Sequence, residues 1–296
     1  MTYGKDSVRA FAIDLANART LTSGFHRNET GTKECGMRVR RLGWAGLEIE
    51  AGGERMVIDH VRDLSPLFTG WKPGENVAVP GGRASAALVT HLHRDHTDAS
   101  ALSEVLTQGA PVLRPAPGHG DDVDNVTTLL AERELVRHRL AVEVVDVWST
   151  RDLGPFRVTA VPAVDGLGDP QLNWVVEADG QRILHGGDTM FHGFWWLVAR
   201  RFSPFDAVFL PANGAVVDAP HLQPPSPVPA ALDPRQAAAA AEILDARFAV
   251  PIHYEPEQPD KIAGYVEVAD PEAEFRAHAG RRAHVLAVGE WLDLAT

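Results

Sequence analysis

Six consecutive positions, His91-Leu92-His93-Arg94-Asp95-His96, hold three imidazoles and a carboxylate. Neutral imidazole and ionised carboxylate are the donors used by Zn, Mn and Fe sites. In an extended segment His91, His93 and Asp95 alternate to one side, and His96 turns off where the backbone bends. The cluster follows Ala86-Ala87-Leu88-Val89, an apolar run that reads as a buried strand. It therefore falls at a strand's C-terminal end, where a chain leaving a sheet opens a crevice. A polar loop that merely holds histidines is the bland alternative. Ligand types seldom coincide at this spacing, so the stretch is read as a metal site.

The elements that must position it can be read outward from there. Met37–Leu42 and Leu47–Glu50 alternate as antiparallel strands, Gly52-Gly53 turns the chain, and Met56–Asp59 forms the next strand. Asp98 is a candidate N-cap for a helix running through Leu106. Pro111–Leu113 reads as a strand and Val123–Leu140 as a surface helix, with apolar residues at helical spacing. Val142–Trp148 and Phe156–Val161 read as strands, and Leu172–Ala178 meets Gln181–His185 at the hairpin signal Asp179-Gly180. Then come a strand over Phe205–Leu210, a helix over Pro234–Ala246 and a strand over Ala249–His253. A helix over Pro271–Ala279 and a strand over His284–Ala287 follow. Two β-rich halves, each closed by helices, fit an α/β sandwich of four layers. Residues 1–36 read as an added N-terminal extension with one short helix over Val8–Ala18. The hydrolase-like domain occupies residues 37–296, and Met37 is itself a candidate start.

The pattern H-x-H-x-D-H resembles the signature of the metallo-β-lactamase superfamily. That resemblance implies an αββα sandwich with two divalent metal ions, Zn, Mn or Fe, in a cleft at one edge of the sheets. Its later ligands would arrive as a histidine, a bridging aspartate and a final histidine. Gly186-Gly187-Asp188-Thr189, after the strand ending at His185, resembles the bridging position; alone, a tight glycine turn with a capping Asp would explain it equally well. Pro251-Ile252-His253-Tyr254 is similar to the final one. The segment Phe202–Pro211 is similar to the branch holding ascorbate-6-phosphate lactonases and N-acylphosphatidylethanolamine-hydrolysing phospholipases. The third histidine is missing: Val158–Val164 is followed by Asp165-Gly166. Either Asp165 takes that place, or the pair is an ordinary turn and one metal has lost a ligand. Ligation is the favoured reading, with His185 and His192 as other candidates to fill the gap. Carried across, the family roles put His91, His93 and Asp165 on one metal, Asp95, His96 and His253 on the other, and Asp188 between them. Asp95 would also orient the attacking water, which makes it the candidate catalytic residue.

Residues Phe191, His192, Phe194, Trp195 and Trp196 could wall a substrate pocket, with His192 and Trp195 the leading contacts. At helical spacing at least one of these tryptophans must be structural. His119, within Pro117-Gly118-His119-Gly120, is a weaker loop candidate, as is His60 after Asp59. Loops over Leu64–Pro80 and Pro220–Pro229 would border the cleft.

Composition narrows the partners. A formal net charge of −12 across 296 residues, without a basic run, argues against nucleic acid and for a small-molecule substrate. Cys35 is the only cysteine, so an intrachain disulfide is excluded and thiolate metal ligation is not expected. Neither a secretory signal nor a membrane span is visible, so a cytoplasmic location is expected, with oligomers left open. The expected activity is metal-dependent hydrolysis of an ester, lactone or phosphodiester through a dinuclear site. An iron-dependent oxidoreductase on the same fold and a degenerate binding protein with an impaired site are the rivals.

Overall fold

The computed structural model describes residues 36–65, 72, 74–118, 123–218, 223–255 and 264–295, without the side chains of 123–127. These belong to a unit that begins at Cys35. In chain order the strands are β1 (Arg38–Gly43), β2 (Gly46–Ala51), β3 (Glu54–Ile58), β4 (Ala86–Leu88), β5 (Pro111–Arg114) and β6 (Ala141–Val144). Next come β7 (Thr150–Leu153), β8 (Phe156–Pro162), β9 (Leu172–Ala178), β10 (Gln181–His185) and β11 (Phe205–Pro211). The last are β12 (Val216–Val217), β13 (Ala246–Ile252), β14 (Tyr265–Val266) and β15 (Trp291–Asp293). Helices α1 (Ala99–Val105), α2 (Val123–Arg137), α3 (Trp195–Phe202), α4 (Pro234–Ile243) and α5 (Pro271–Ala279) are interleaved.

One sheet has the order β15-β1-β2-β3-β4-β5-β6 and the other β13-β11-β10-β9-β8-β7, while β12 and β14 form a small ribbon. The strands β1 to β3 and β7 to β10 pair antiparallel. The near-continuous apolar runs β4, β11 and β13 pair parallel with their neighbours, as strands covered on both faces do. Asp179 and Gly180 both take positive φ, 51° and 77°, which is the tight hairpin their sequence announces.

Burial follows the layers. Ile49, Met56, Leu88, Trp174, Ile183 and Phe209 belong to the apolar layer between the two sheets. Trp195, Val198, Leu184, Val208, Ala237, Ala240 and Phe275 pack α3, α4 and α5 on the second sheet. Leu102, Val105 and Leu135 pack α1 and α2 on the first. Three apolar layers separating helix, sheet, sheet and helix make the αββα sandwich. Asp98 caps α1, its Oδ1 accepting from Ala101 N at 2.9 Å. Its Oδ2 accepts from Arg62 N at 3.1 Å, which ties the loop after β3 to the same cap.

Two expected strands are corrected. The run from Val142 leaves the sheet after Val144, and Trp148, with φ 69°, turns its ring under the Arg201 guanidinium at 5.2 Å. His284–Ala287 forms no strand; Ala283 makes only an isolated bridge with Ala249, and β15 takes the sheet edge beside β1. The strands β7, β12, β14 and β15 were not legible from hydrophobic alternation, each being short or charged.

Candidate metal centre

The strands β10, β11 and β13 run parallel, with His185 opposite Phe209 and Pro211 opposite Ile252. Asp188 and His253 therefore leave the second sheet at the same end. His91, His93, Asp95 and His96 leave β4 of the first sheet in a tight turn, in which His96 N and Thr97 N both donate to the His93 carbonyl. Two sets of side chains result. His91, His93, Asp165 and Asp188 each offer one donor atom, all within 4.8 Å of one another. Asp95, His96 and His253 do the same. The sets adjoin, with the rings of His91 and His96 4.2 Å apart between centroids.

In the first set, Nε2 of His91 and Nδ1 of His93 are 2.9 Å apart. Asp165 Oδ2 lies 3.8 Å from the former and 3.6 Å from the latter, and Asp188 Oδ2 lies 3.5 Å from His91 Nε2. In the second, Asp95 Oδ2 is 3.3 Å from His253 Nε2 and 3.5 Å from His96 Nε2. Donor atoms at such spacings can share a cation. Asp165 Oδ2, Asp188 Oδ1 and His96 Nε2 are buried with no hydrogen-bond partner, a costly arrangement for polar atoms unless something else satisfies them. The residues fit divalent metal.

Asp165 does both things that its sequence allowed. Its Oδ1 accepts from Leu167 N at 2.6 Å and Gly168 N at 2.9 Å, making the turn. Its Oδ2 is left facing the two histidines. His185, by contrast, donates or accepts away from the cluster, with Nε2 2.7 Å from the Ala45 carbonyl and Nδ1 accepting from Gly187 N. It braces the turn beneath the site.

Further residues orient the side chains of the two sets. Asp59 accepts from Thr90 N at 2.8 Å and from the Thr90 hydroxyl at 2.6 Å, and sits 2.7 Å from His96 Nδ1. His96 is thereby turned with Nε2 toward Asp95, the arrangement by which carboxylates fix metal-binding imidazoles. Asp169 is 2.7 Å from His93 Nε2. Trp44 Nε1 donates to Asp95 Oδ2 at 3.0 Å. None of the three was among the expected site residues. Asp59 alone carried a local signal, standing like Asp188 just past an apolar strand. Trp44, Asp59 and His253 all have positive φ, at 39°, 45° and 62°, an uncommon conformation for such residues that clusters here at the site.

Electrostatics agree with the geometry. Burial depresses the His91 imidazole and its neighbours His96 and His93 add to that, keeping it neutral. Burial and then the Asp188 charge push the Asp165 carboxyl up to about 7. Burial works against the charge on His93, but the hydrogen bond to Asp169 and the Asp165 and Asp188 charges raise it to about 9. Asp95 is buried too, yet His96 and His253 hold it well below the usual carboxylate range. A carboxyl whose proton affinity is raised by a neighbouring charge, as at Asp165, calls for positive charge beside it, from a proton or a cation.

The expected pocket residues fare differently. Trp195 is fully buried in the apolar layer under α3, which makes it a core residue and not a pocket wall. Trp196, half exposed, is the tryptophan that reaches solvent. His192 stacks on Trp195 with ring centroids 4.3 Å apart, and its Nδ1 accepts from Phe194 N, so it does not fill a ligand position in either set. His119 lies outside the described residues. A cavity of about 720 Å³, lined by Glu177, Arg182, Asp206, Arg247 and Arg282, opens at the opposite end of the second sheet and shares no residue with the metal-binding sets.

The fold and the clustered His and Asp side chains define the class of metal-dependent hydrolases. The chain belongs to the β-lactamase superfamily: the model of the β-lactamase superfamily domain matches residues 54–254. Among its relatives is a UPF0173 metal-dependent hydrolase of Thermococcus onnurineus, 28% identical over 267 residues, covering 87% of this chain and 100% of the relative. A second, from Thermococcus kodakarensis, is 29% identical with the same coverage. Among solved structures, a metallo hydrolase from Ignicoccus hospitalis superposes with a TM-score of 0.60 at 16% identity, covering 86% of this chain and 97% of that one. CmlA, a diiron β-hydroxylase from Streptomyces venezuelae, gives 0.66 at 19% identity, covering 88% of this chain and 55% of that one. At these identities the two structures speak to the fold.

Proposed function

We propose that this hydrolase holds two divalent cations and cleaves an ester, lactone or phosphodiester bond of a small substrate with water. The observation that supports it is the pair of adjoining donor sets, His91/His93/Asp165/Asp188 and Asp95/His96/His253. In this reading each set would hold one ion, and Asp188, whose Oδ1 has no hydrogen-bond partner, would be shared between them. When bound, such a pair supplies a nucleophilic water near neutral pH and draws charge from the scissile group. The chain's own residues do the rest. Asp95, kept ionised beside His96 and His253, orients the attacking water. Asp59 and Asp169 fix the imidazoles so that one nitrogen of each faces the site. Asp165 brings the carboxylates of the two sets together to three, with Asp95 and Asp188, which favours the harder ions Mn and Fe over Zn. The acidic chain repels polyanions, which favours small substrates over RNA or DNA. Among the described residues no helix is long and apolar enough to cross a membrane.

The test is metal analysis combined with a substrate screen. Protein loaded separately with Zn, Mn and Fe should bind two equivalents and turn over at least one class among lactones, carboxylic esters and phosphodiesters. Fewer than two equivalents in every case would rule out the dinuclear reading. The Asp165 carboxylate also favours a second reading, an iron-dependent oxidoreductase. Dioxygen consumption by the iron-loaded protein with a reductant, without hydrolysis by any metal form, would select it.

A further inference from the structure

The turn between β1 and β2, Gly43-Trp44-Ala45-Gly46, touches the site at several points. The Trp44 indole N–H donates to Asp95 Oδ2 at 3.0 Å. The Trp44 carbonyl accepts from His253 N at 3.0 Å, and the two rings lie 4.5 Å apart at 48°. The Trp44 N–H donates to Glu255 Oε1 at 2.9 Å, and the Ala45 carbonyl faces His185 Nε2 at 2.7 Å. Asp95 comes from the loop after β4 in the first sheet, and His253 from the end of β13 in the second. One side chain thus grips a donor from each sheet. Trp44 does so in a left-handed backbone conformation, with φ 39°, that a bulky residue adopts only when its surroundings hold it there.

We propose that Trp44 is a positioning residue for one metal and not the other: it fixes Asp95 and His253 for the ion held by Asp95, His96 and His253. This rests on the dinuclear reading above. The contacted oxygen decides the matter chemically. Asp95 Oδ2 is the atom that faces both His96 Nε2 and His253 Nε2, so it is the ligating oxygen of its set. An indole N–H on that oxygen fixes its direction and takes up one lone pair, leaving the other for the cation. The first set has its own counterpart in Asp169, which holds His93 and does not touch Asp95 or His253. The two ions therefore have separate supports.

The experiment measures metal binding, not turnover. Mn(II) affinity is titrated in a His93→Ala background, where only the second set is left complete, and in a His253→Ala background, where only the first is. Adding Trp44→Phe should weaken binding 10- to 100-fold in the first background and change it less than twofold in the second. Adding Asp169→Asn should do the reverse. Should Trp44→Phe lose its cooperative melting, Glu255→Ala, which frees the turn without touching a ligand, carries the same expectation. Unchanged affinity in the His93→Ala background, or equal weakening in both, would overturn the role given to Trp44. Absence of any metal binding by the wild-type chain would instead overturn the dinuclear reading, and the role of Trp44 with it.

Discussion

Asp169 Oδ2 lies 2.7 Å from Nε2 of His93, on the side of the ring away from Asp165, whose Oδ2 is 3.6 Å from Nδ1. One turn, Asp165 to Asp169, therefore supplies both a donor for the first set and the group that aims its neighbour. Asp169→Asn keeps the size and can still hydrogen-bond, but removes the charge that holds His93 in this orientation. Affinity for one of two metal equivalents should fall about 10- to 100-fold, with the fold retained. Calorimetric titration of the metal-free protein reads this directly, and two equivalents at wild-type affinity would refute it.

Asp165 itself separates turn from ligand. Asp165→Ala should lose one metal equivalent, while Asp165→His should keep two and bind Zn relatively better, imidazole being the softer donor. Replacing the carboxylate by a neutral ring leaves more positive charge at the centre, so activity of the His variant should rise at lower pH than wild type. Metal content and pH–rate profiles of the three proteins decide it. If Asp165→Ala keeps both equivalents and an unchanged profile, Asp165 is only the turn that its Oδ1 makes.

The residues that the fold gathers into the two sets were legible because the signal is local: each follows an apolar strand within a few positions, and four lie within six positions of one another. Their supports were hidden for the opposite reason. Asp169 is 76 residues from His93, and Trp44 is 51 from Asp95, so nothing near either in the sequence announces the contact. The same holds for the sheets. Strands with an apolar run or clean alternation were read well, whereas Thr150–Leu153, one apolar residue in four, became a strand only because Phe156–Pro162 offers it an edge. Conversely, His284–Ala287 is apolar enough for a strand but meets β13 only beside the isolated bridge of Ala283 with Ala249.

A pH dependence of stability follows from His60. Burial lowers its pKa from 6.5 to about 4, against the opposing charges of Asp98 and Glu104 and with the help of Arg62. The folded value lies below the unfolded one, so the unfolded chain takes up the proton first as pH falls. His60 therefore leaves stability intact above pH 6.5 and removes it progressively from there down to about 4. The loss is up to roughly 3 kcal/mol at the lower end, in view of about 1.4 kcal/mol per unit. Thermal melts of metal-free protein from pH 7 to 4 should show it, and His60→Asn should flatten that limb. An equal slope in the variant would assign the loss to other groups.

Arg41 provides the last test, because it is a fully buried charge that holds the residue after His253. Its guanidinium donates to the Tyr254 carbonyl at 2.7 Å and the Leu286 carbonyl at 3.0 Å, and lies 4.7 Å over the Tyr254 ring. It also faces Glu255, whose carboxyl burial pushes up and Arg41 draws back down. Arg41→Ala leaves two buried carbonyls short of a donor and a buried carboxylate without its cation. The expected cost is about 3–5 kcal/mol, the range for removing one partner of a buried charge pair. Arg41→Lys restores charge but not the fork that reaches both carbonyls, so it should recover only part. The loop begins one residue after His253, so both variants should also weaken one metal equivalent more than the other. Urea unfolding with metal titration of the same samples checks both expectations. Melting lowered with both equivalents weakened alike would mean that Arg41 supports the fold generally and not the His253 loop.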